Sequence, residues 1–235
     1  SITNALIKLT STTSKKVCFL KGHNEFSLDN QYQTVQQILG QNNYKVNSII
    51  LVGQNAVPAD CNLLVVPSSS SGLQESEVLA VKTFLNQKGK AMFLVNPLDS
   101  NIYSSLLAEW GIKIGNDIVV DAQSAYFGLL FDPVLQMYST QAITSKLSEA
   151  VILHTSRSVG PATEIPAGLT VDWLAKTGNS SWAETDLVNL TKPQYDKTAD
   201  QAGPVSVAVL ASGNKTGAAT DASADQKTQT RIIAI

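Results

Sequence analysis

Apolar residues in the first half of the chain fall into short continuous runs, separated by stretches where they recur every three or four positions. Val17-Cys18-Phe19-Leu20 is the first run, stopped by Lys21-Gly22. Val46 to Val52 is the second, with Ile49-Ile50-Leu51 at its centre. Leu63 to Val66 is closed by Pro67 and four serines, and Ala91 to Val95 is the fourth. Between the runs, residues 27–40 place Leu28, Val35, Ile38 and Leu39 at helical spacing, with Ser27 or Asp29 near the cap. Leu73 to Lys88 repeats the pattern with Val78, Val81, Phe84 and Leu85, and Gly89 marks its C-terminal end. Ile102 to Trp110 predicts a short amphipathic helix ending at Gly111. All-apolar strands alternating with amphipathic helices predict an α/β fold with a mainly parallel sheet covered on both faces. Right-handed crossovers then make the sheet open and doubly wound over residues 15–115.

The second half, 116–235, is less regular. Ile118-Val119-Val120 predicts a strand, whereas residues 121–140 read as loop with scattered aromatics, Tyr126, Phe127, Phe131 and Tyr138. Val151-Ile152-Leu153 precedes His154, and Leu169 to Leu174 fits a strand or a short helix. Val205 to Leu210 and Arg231 to Ile235 read as strands, adjacent to one another and joined by a flexible connection at 211–230 rich in Gly, Ala, Ser, Thr and Gln. No linker or repeat separates two halves, so the expectation is a single domain over 1–235.

Composition narrows the function classes. Hydrophobic residues make up 43% and charged residues 15%, which is globular, and the net charge is −2. The only arginines are Arg157 and Arg231, so the clustered cations that displace phosphate counterions are missing and nucleic-acid binding is disfavoured. No apolar run approaches the roughly 18 residues that span a bilayer. The sequence starts at Ser1 and stops within the apolar run Arg231-Ile232-Ile233-Ala234-Ile235, which predicts a piece of a longer protein. Cys18 and Cys61 leave two readings open, buried thiols or a disulfide between neighbouring parallel strands.

Candidate chemistry gathers in loops at the carboxyl ends of the strands, where open parallel sheets bind ligands. Gly22-His23-Asn24-Glu25 offers close backbone approach, an imidazole, an amide and a carboxylate in succession. Ser68 and Ser69 follow the third apolar run, and Asn96 and Asp99 the fourth. Together these residues predict a polar, hydroxyl-rich pocket suited to a peptide or carbohydrate. The competing reading makes Asn24, Glu25 and Asp99 helix caps that satisfy backbone N–H groups. Neither Cys18, Cys61 nor Ser68–Ser71 sits in a Gly-flanked elbow, and Gly22 stands alone, so no nucleophile or phosphate cradle is expected. His23 with Glu25 supplies only two metal ligands, so no metal and no cofactor are expected.

Several segments resemble one family. Val17-Cys18-Phe19-Leu20-Lys21-Gly22-His23-Asn24-Glu25 is similar to the strand plus G-H-G-E signature of ABC-transporter auxiliary components of the gliding-motility GldG type, with Asn24 in place of the third-position glycine. Val57 to Val66, Leu73 to Gly89, Phe93 to Pro97 with Asp99, Thr155-Ser156-Arg157, Leu174 to Thr177 with Ser181-Trp182, and Gly203 to Ala208 look like later blocks in the same order. The resemblance implies a Rossmann-like or flavodoxin-like layer, glutamine-amidotransferase-like without the nucleophile. It also implies a non-catalytic domain on the extracytoplasmic, periplasmic face of the bacterial cytoplasmic membrane. The anchor would be transmembrane helices outside this sequence, and the partners an ABC permease and ATPase. Alternatives are a hydrolase using His23 and Glu25, and a purely structural periplasmic spacer.

Overall fold

The computed structural model describes residues 14–97, 103–124, 128–215 and 229–235; the expectations for Asp99, Tyr126, Phe127 and most of the 211–230 connection lie outside them. The chain divides into two compact units, residues 1–94 with 224–232, and residues 95–223 with 233–235.

In the first unit, β1 (Lys16–Leu20) is buried along four of its five residues. It pairs in parallel with β2 (Lys45–Ile49) on one side and β3 (Leu63–Val66) on the other, and β3 pairs in parallel with β4 (Lys90–Phe93). A strand with a neighbour on each side reads as an unbroken apolar run, which is why Val-Cys-Phe-Leu and Leu-Leu-Val-Val are recognisable as strands. The edge strand β2 instead carries Lys45, Asn47 and Ser48, polar residues that discourage further pairing. Val17, Phe19, Leu28 and Val65 form a buried cluster, with Tyr32 and Leu39 packed against it.

The first helix is shorter than its apolar spacing predicts. α1 (Gln33–Gln41) begins only after a turn in which the N–H groups of Asn30 and Tyr32 both donate to the Ser27 carbonyl. α2 (Glu75–Asn86) starts with Glu75 and Glu77 in its first turn, where carboxylates favour the positive end of the helix. Its reversal falls on Lys88, at φ 67, with Gly89 N–H closing onto the Phe84 carbonyl at 2.9 Å.

In the second unit, α3 (Ser104–Ala108) leads into β5 (Ile112–Ile114), which pairs antiparallel with β9 (Val159–Pro161). β6 (Ile118–Asp121) pairs antiparallel with β11 (Ser181–Glu184), and β11 with β12 (Gln201–Ala202). The long β10 (Leu169–Thr177) pairs antiparallel with β13 (Ser206–Gly213) and β7 (Val134–Tyr138), and β7 with β8 (Val151–Ile152). Leu135, Leu174, Val205 and Val207 belong to this unit's core. Arg157, buried, ties the unit internally: Nε donates to the Gly115 carbonyl at 2.8 Å, Nη2 to the same oxygen, and Nη1 to the Asn96 carbonyl at 3.0 Å.

With β14 (Thr230–Ala234), the sheets are a nine-stranded one in the order β2-β1-β3-β4-β14-β13-β10-β7-β8, a three-stranded one and a two-stranded one. The adjacency expected for the strands near 205–210 and 232–235 is present as β13 beside β14. The architecture itself corrects the sequence expectation. An open, mainly parallel Rossmann-like or flavodoxin-like sheet with helices on both faces does not describe this chain. Strands take 31% of the described residues and helix only 13%, and the large sheet is mixed. The physical reason lies in the second half. Among the described residues, β6 to β13 are joined without helical crossovers, and the pairs they form with one another are antiparallel. Leu169 to Asp172 on β10 alternate buried and exposed, which is the mark of a sheet wetted on one side.

Candidate functional site

The loop after β1 is shaped by two residues in the left-handed region, Gly22 at φ 126 and Asn24 at φ 63. Glycine meets this at no steric cost, and asparagine is among the few other residues that tolerate it. The chain therefore folds back on itself, and Glu25 Oε2 accepts the His23 backbone N–H at 2.5 Å. This turn drives the His23 side chain inward, leaving the residue 6% exposed.

Inside, His23 Nε2 meets Glu77 Oε2 at 2.8 Å; a carboxylate can only accept, so the ring donates. Glu77, fully buried in the first turn of α2, also accepts the Gln74 N–H at 2.9 Å through the same oxygen. His23 Nδ1 lies 3.6 Å from Glu25 Oε1, beyond hydrogen-bond reach, and has no hydrogen-bond partner among the described residues. Both ring nitrogens thus face carboxylates. Among the described residues neither is hydrogen-bonded to a hydroxyl or thiol, and no group of three His, Cys, Asp or Glu is arranged to hold a metal ion. The imidazole braces the β1 loop against the start of α2.

The exposed groups of the region are different ones. Asn24 Nδ2 donates to Ser71 Oγ at 3.5 Å, which joins the β1 loop to the serine loop after β3. Ser69 is buried, its hydroxyl donating to the Ser71 carbonyl at 2.6 Å, and Ser68 is half-buried. Gly22, His23, Asn24 and Glu25 are thus brought together with the serine loop. Asn96 belongs to the second unit, exposed, its carbonyl accepting from Arg157.

Sequence reasoning missed Glu77, the residue that decides what His23 does. Its signal was local: a Gln74-x-x-Glu77 spacing of the capping-box kind at a helix start. Missed too was a concavity in the second unit of about 520 Å³, lined by residues 184–200. Its acidic groups organise their own loop. Asp186 accepts from the Val188 and Asn189 N–H groups and the Asn189 side chain, and that side-chain bond is the main reason its carboxyl sits below the usual range. Asp196 is held low in the same way, first by the Thr198 hydroxyl and then by the Thr198 N–H. Folded-state values below the unfolded ones stabilise the loop above the unfolded aspartate range, and that contribution is lost as pH falls through the folded values. Acidification through that range is expected to shift the Val188, Asn189 and Thr198 amide resonances before those of β10 and β13. If these amides stay fixed until global unfolding, the carboxylates do not organise the loop.

Taken together, fold and site define a two-unit, mixed-sheet domain whose histidine-bearing loop is built as a structural brace. Comparison with known proteins gives the family. Residues 14–235 match the family described as ABC-type uncharacterized transport system, and the chain belongs to it, as an auxiliary component of an ABC transport system. No curated protein matches it by sequence. Among solved structures it is similar to the mmIFT52 N-terminal domain, at 14% identity and a TM-score of 0.62, covering 93% of this chain and 84% of that one. It is also similar to a ThuA-like protein from Bacteroides uniformis, at 9% identity and a TM-score of 0.51, covering 96% and 82%. At these identities the likeness is one of fold alone.

Proposed function

We infer that this chain is a non-catalytic recognition domain that acts on the extracytoplasmic face of a bacterial cytoplasmic membrane. There it would engage a partner of its transport system, such as the permease, through the exposed rim of the β1 and β3 loops. The gliding-motility GldG type of auxiliary component is the nearest description of that role. The observation that carries this reading is the burial of His23 between Glu77 and Glu25. A general base must reach the proton it abstracts, and this one is closed off and engaged. What faces solvent on the same loops is Asn24 and Ser71, groups suited to contact rather than catalysis. A second support is the Cys18–Cys61 disulfide, since such bonds persist in oxidising compartments.

The test is co-purification of the full-length parent protein with the permease and ATPase of its own system. Asn24→Gly combined with Ser71→Arg alters the rim while keeping the buried brace. Loss of the partners with an unchanged melting temperature is the expected result. Full retention of the partners, or turnover of an ester, peptide or glycoside that vanishes in His23→Ala, would sink the proposal.

A further inference from the structure

The opposite end of the first unit's parallel strands carries a second concavity, of about 650 Å³. Four lysines line it: Lys15 and Lys16 where β1 begins, and Lys88 and Lys90 where α2 gives way to β4. No carboxylate lines it among the described residues. Among the described residues Lys16 alone of the four has an ion pair, to Asp60 at 2.9 Å, and Asp60 is not part of the lining. Lys88 and Lys90 follow the C-terminus of α2, where cations are favourable, but that does not account for Lys15 and Lys16. Like charges collected around one concavity repel each other, and a bound anion relieves that repulsion. Apolar Val57, Leu63 and Phe84 share the lining with the lysines. The wall that carries Val57 ends at Cys61, which the disulfide fixes to the centre of β1. The volume falls in the range of about 300–1,000 Å³ typical of small-molecule sites, whereas docking on a flat bilayer requires no concavity.

We propose that this cavity binds a small anionic amphiphile, a carboxylate, phosphate or sulfonate head on an apolar body, with Lys15, Lys88 and Lys90 around the head and Val57 and Phe84 against the body. The site lies at the other end of β1 from the His23 loop and does not depend on the function assigned to that loop.

The probe is 1-anilinonaphthalene-8-sulfonate, titrated into the whole chain by fluorescence and displaced with octanoate or phenyl phosphate. A single saturable site is expected, weakening as salt rises, with octan-1-ol unable to displace the probe. Lys15→Gln, Lys88→Gln and Lys90→Gln combined should weaken binding at least about tenfold without moving the melting temperature. Amide resonances of Val57, Asn62, Lys88 and Lys90 should shift when phenyl phosphate is added. Equal binding by the triple variant, or shifts elsewhere only, would overturn the proposal. So would binding to phosphatidylglycerol vesicles with no displacement by the soluble anions, which would make the lysines a membrane contact instead.

Discussion

Replacing both cysteines, Cys18→Ala with Cys61→Ala, is expected to destabilise the first unit by about 4 kcal/mol. The figure follows from the loop-closure entropy of a cross-link spanning 43 residues. Both cysteines are buried, and alanine keeps a small apolar group at each site, so packing changes little beside the lost constraint. The bond joins the centre of β1 to the residues that lead into β3, two strands that are parallel neighbours. Its removal therefore frees the whole 19–60 segment in the unfolded chain, which includes α1 and β2. For a unit of this size the loss corresponds to a fall in melting temperature of roughly 20 °C. Guanidinium titrations of the wild type with and without reductant, beside the double variant, measure it. The two units give separate transitions if they unfold independently, and the shift then falls on the first unit alone. Reductant should act on the wild type and leave the variant unchanged. Coincident curves for oxidised and reduced wild type would show that the bond contributes nothing. The same pair offers a test of compartment: alkylation of the protein directly in its cells should find both thiols blocked.

The contrast between the two halves explains what could be read in advance. β1, β3 and β4 are visible in the sequence because a strand with partners on both sides and cover on its faces is apolar throughout. α2 is visible because Val81 and Leu85, spaced one turn apart, are both buried. The mixed architecture was not visible. Its deciding strands, β5, β8, β9, β11 and β12, are two to four residues long, too short for any period to register. β10 was ambiguous because the register shifts between Trp173 and Ala175, and again by Lys176, break its alternation. The site was legible as a loop and illegible as a mechanism. Gly22, His23 and Asn24 announce a sharp turn, yet the partner that turns the imidazole inward lies 54 residues away on another element. Cys18 and Cys61 posed the same difficulty: their pairing depends on the neighbour relation of β1 and β3.

His23→Ala is expected to cost about 1–3 kcal/mol, because it leaves the buried Glu77 side chain with no side-chain donor among the described residues. The remaining donor to that oxygen is the Gln74 N–H, and Glu77 Oε1 has no hydrogen-bond partner among the described residues even in the intact protein. Glu77→Gln should cost less, since an amide oxygen accepts from both His23 and Gln74 without a buried charge. In the double variant, His23→Ala with Glu77→Gln, the loss should fall short of the sum of the two by about 1–3 kcal/mol, the coupling expected of residues in direct contact. Denaturant titration of the four proteins measures that coupling. Additive losses would mean that the 2.8 Å contact carries no energy and that the loop is held by its backbone turn alone. A coupling of the expected size has a structural consequence. The imidazole then fixes the loop's shape by bracing it on the start of α2. Asn24 and Ser71 are the groups that this brace presents to solvent.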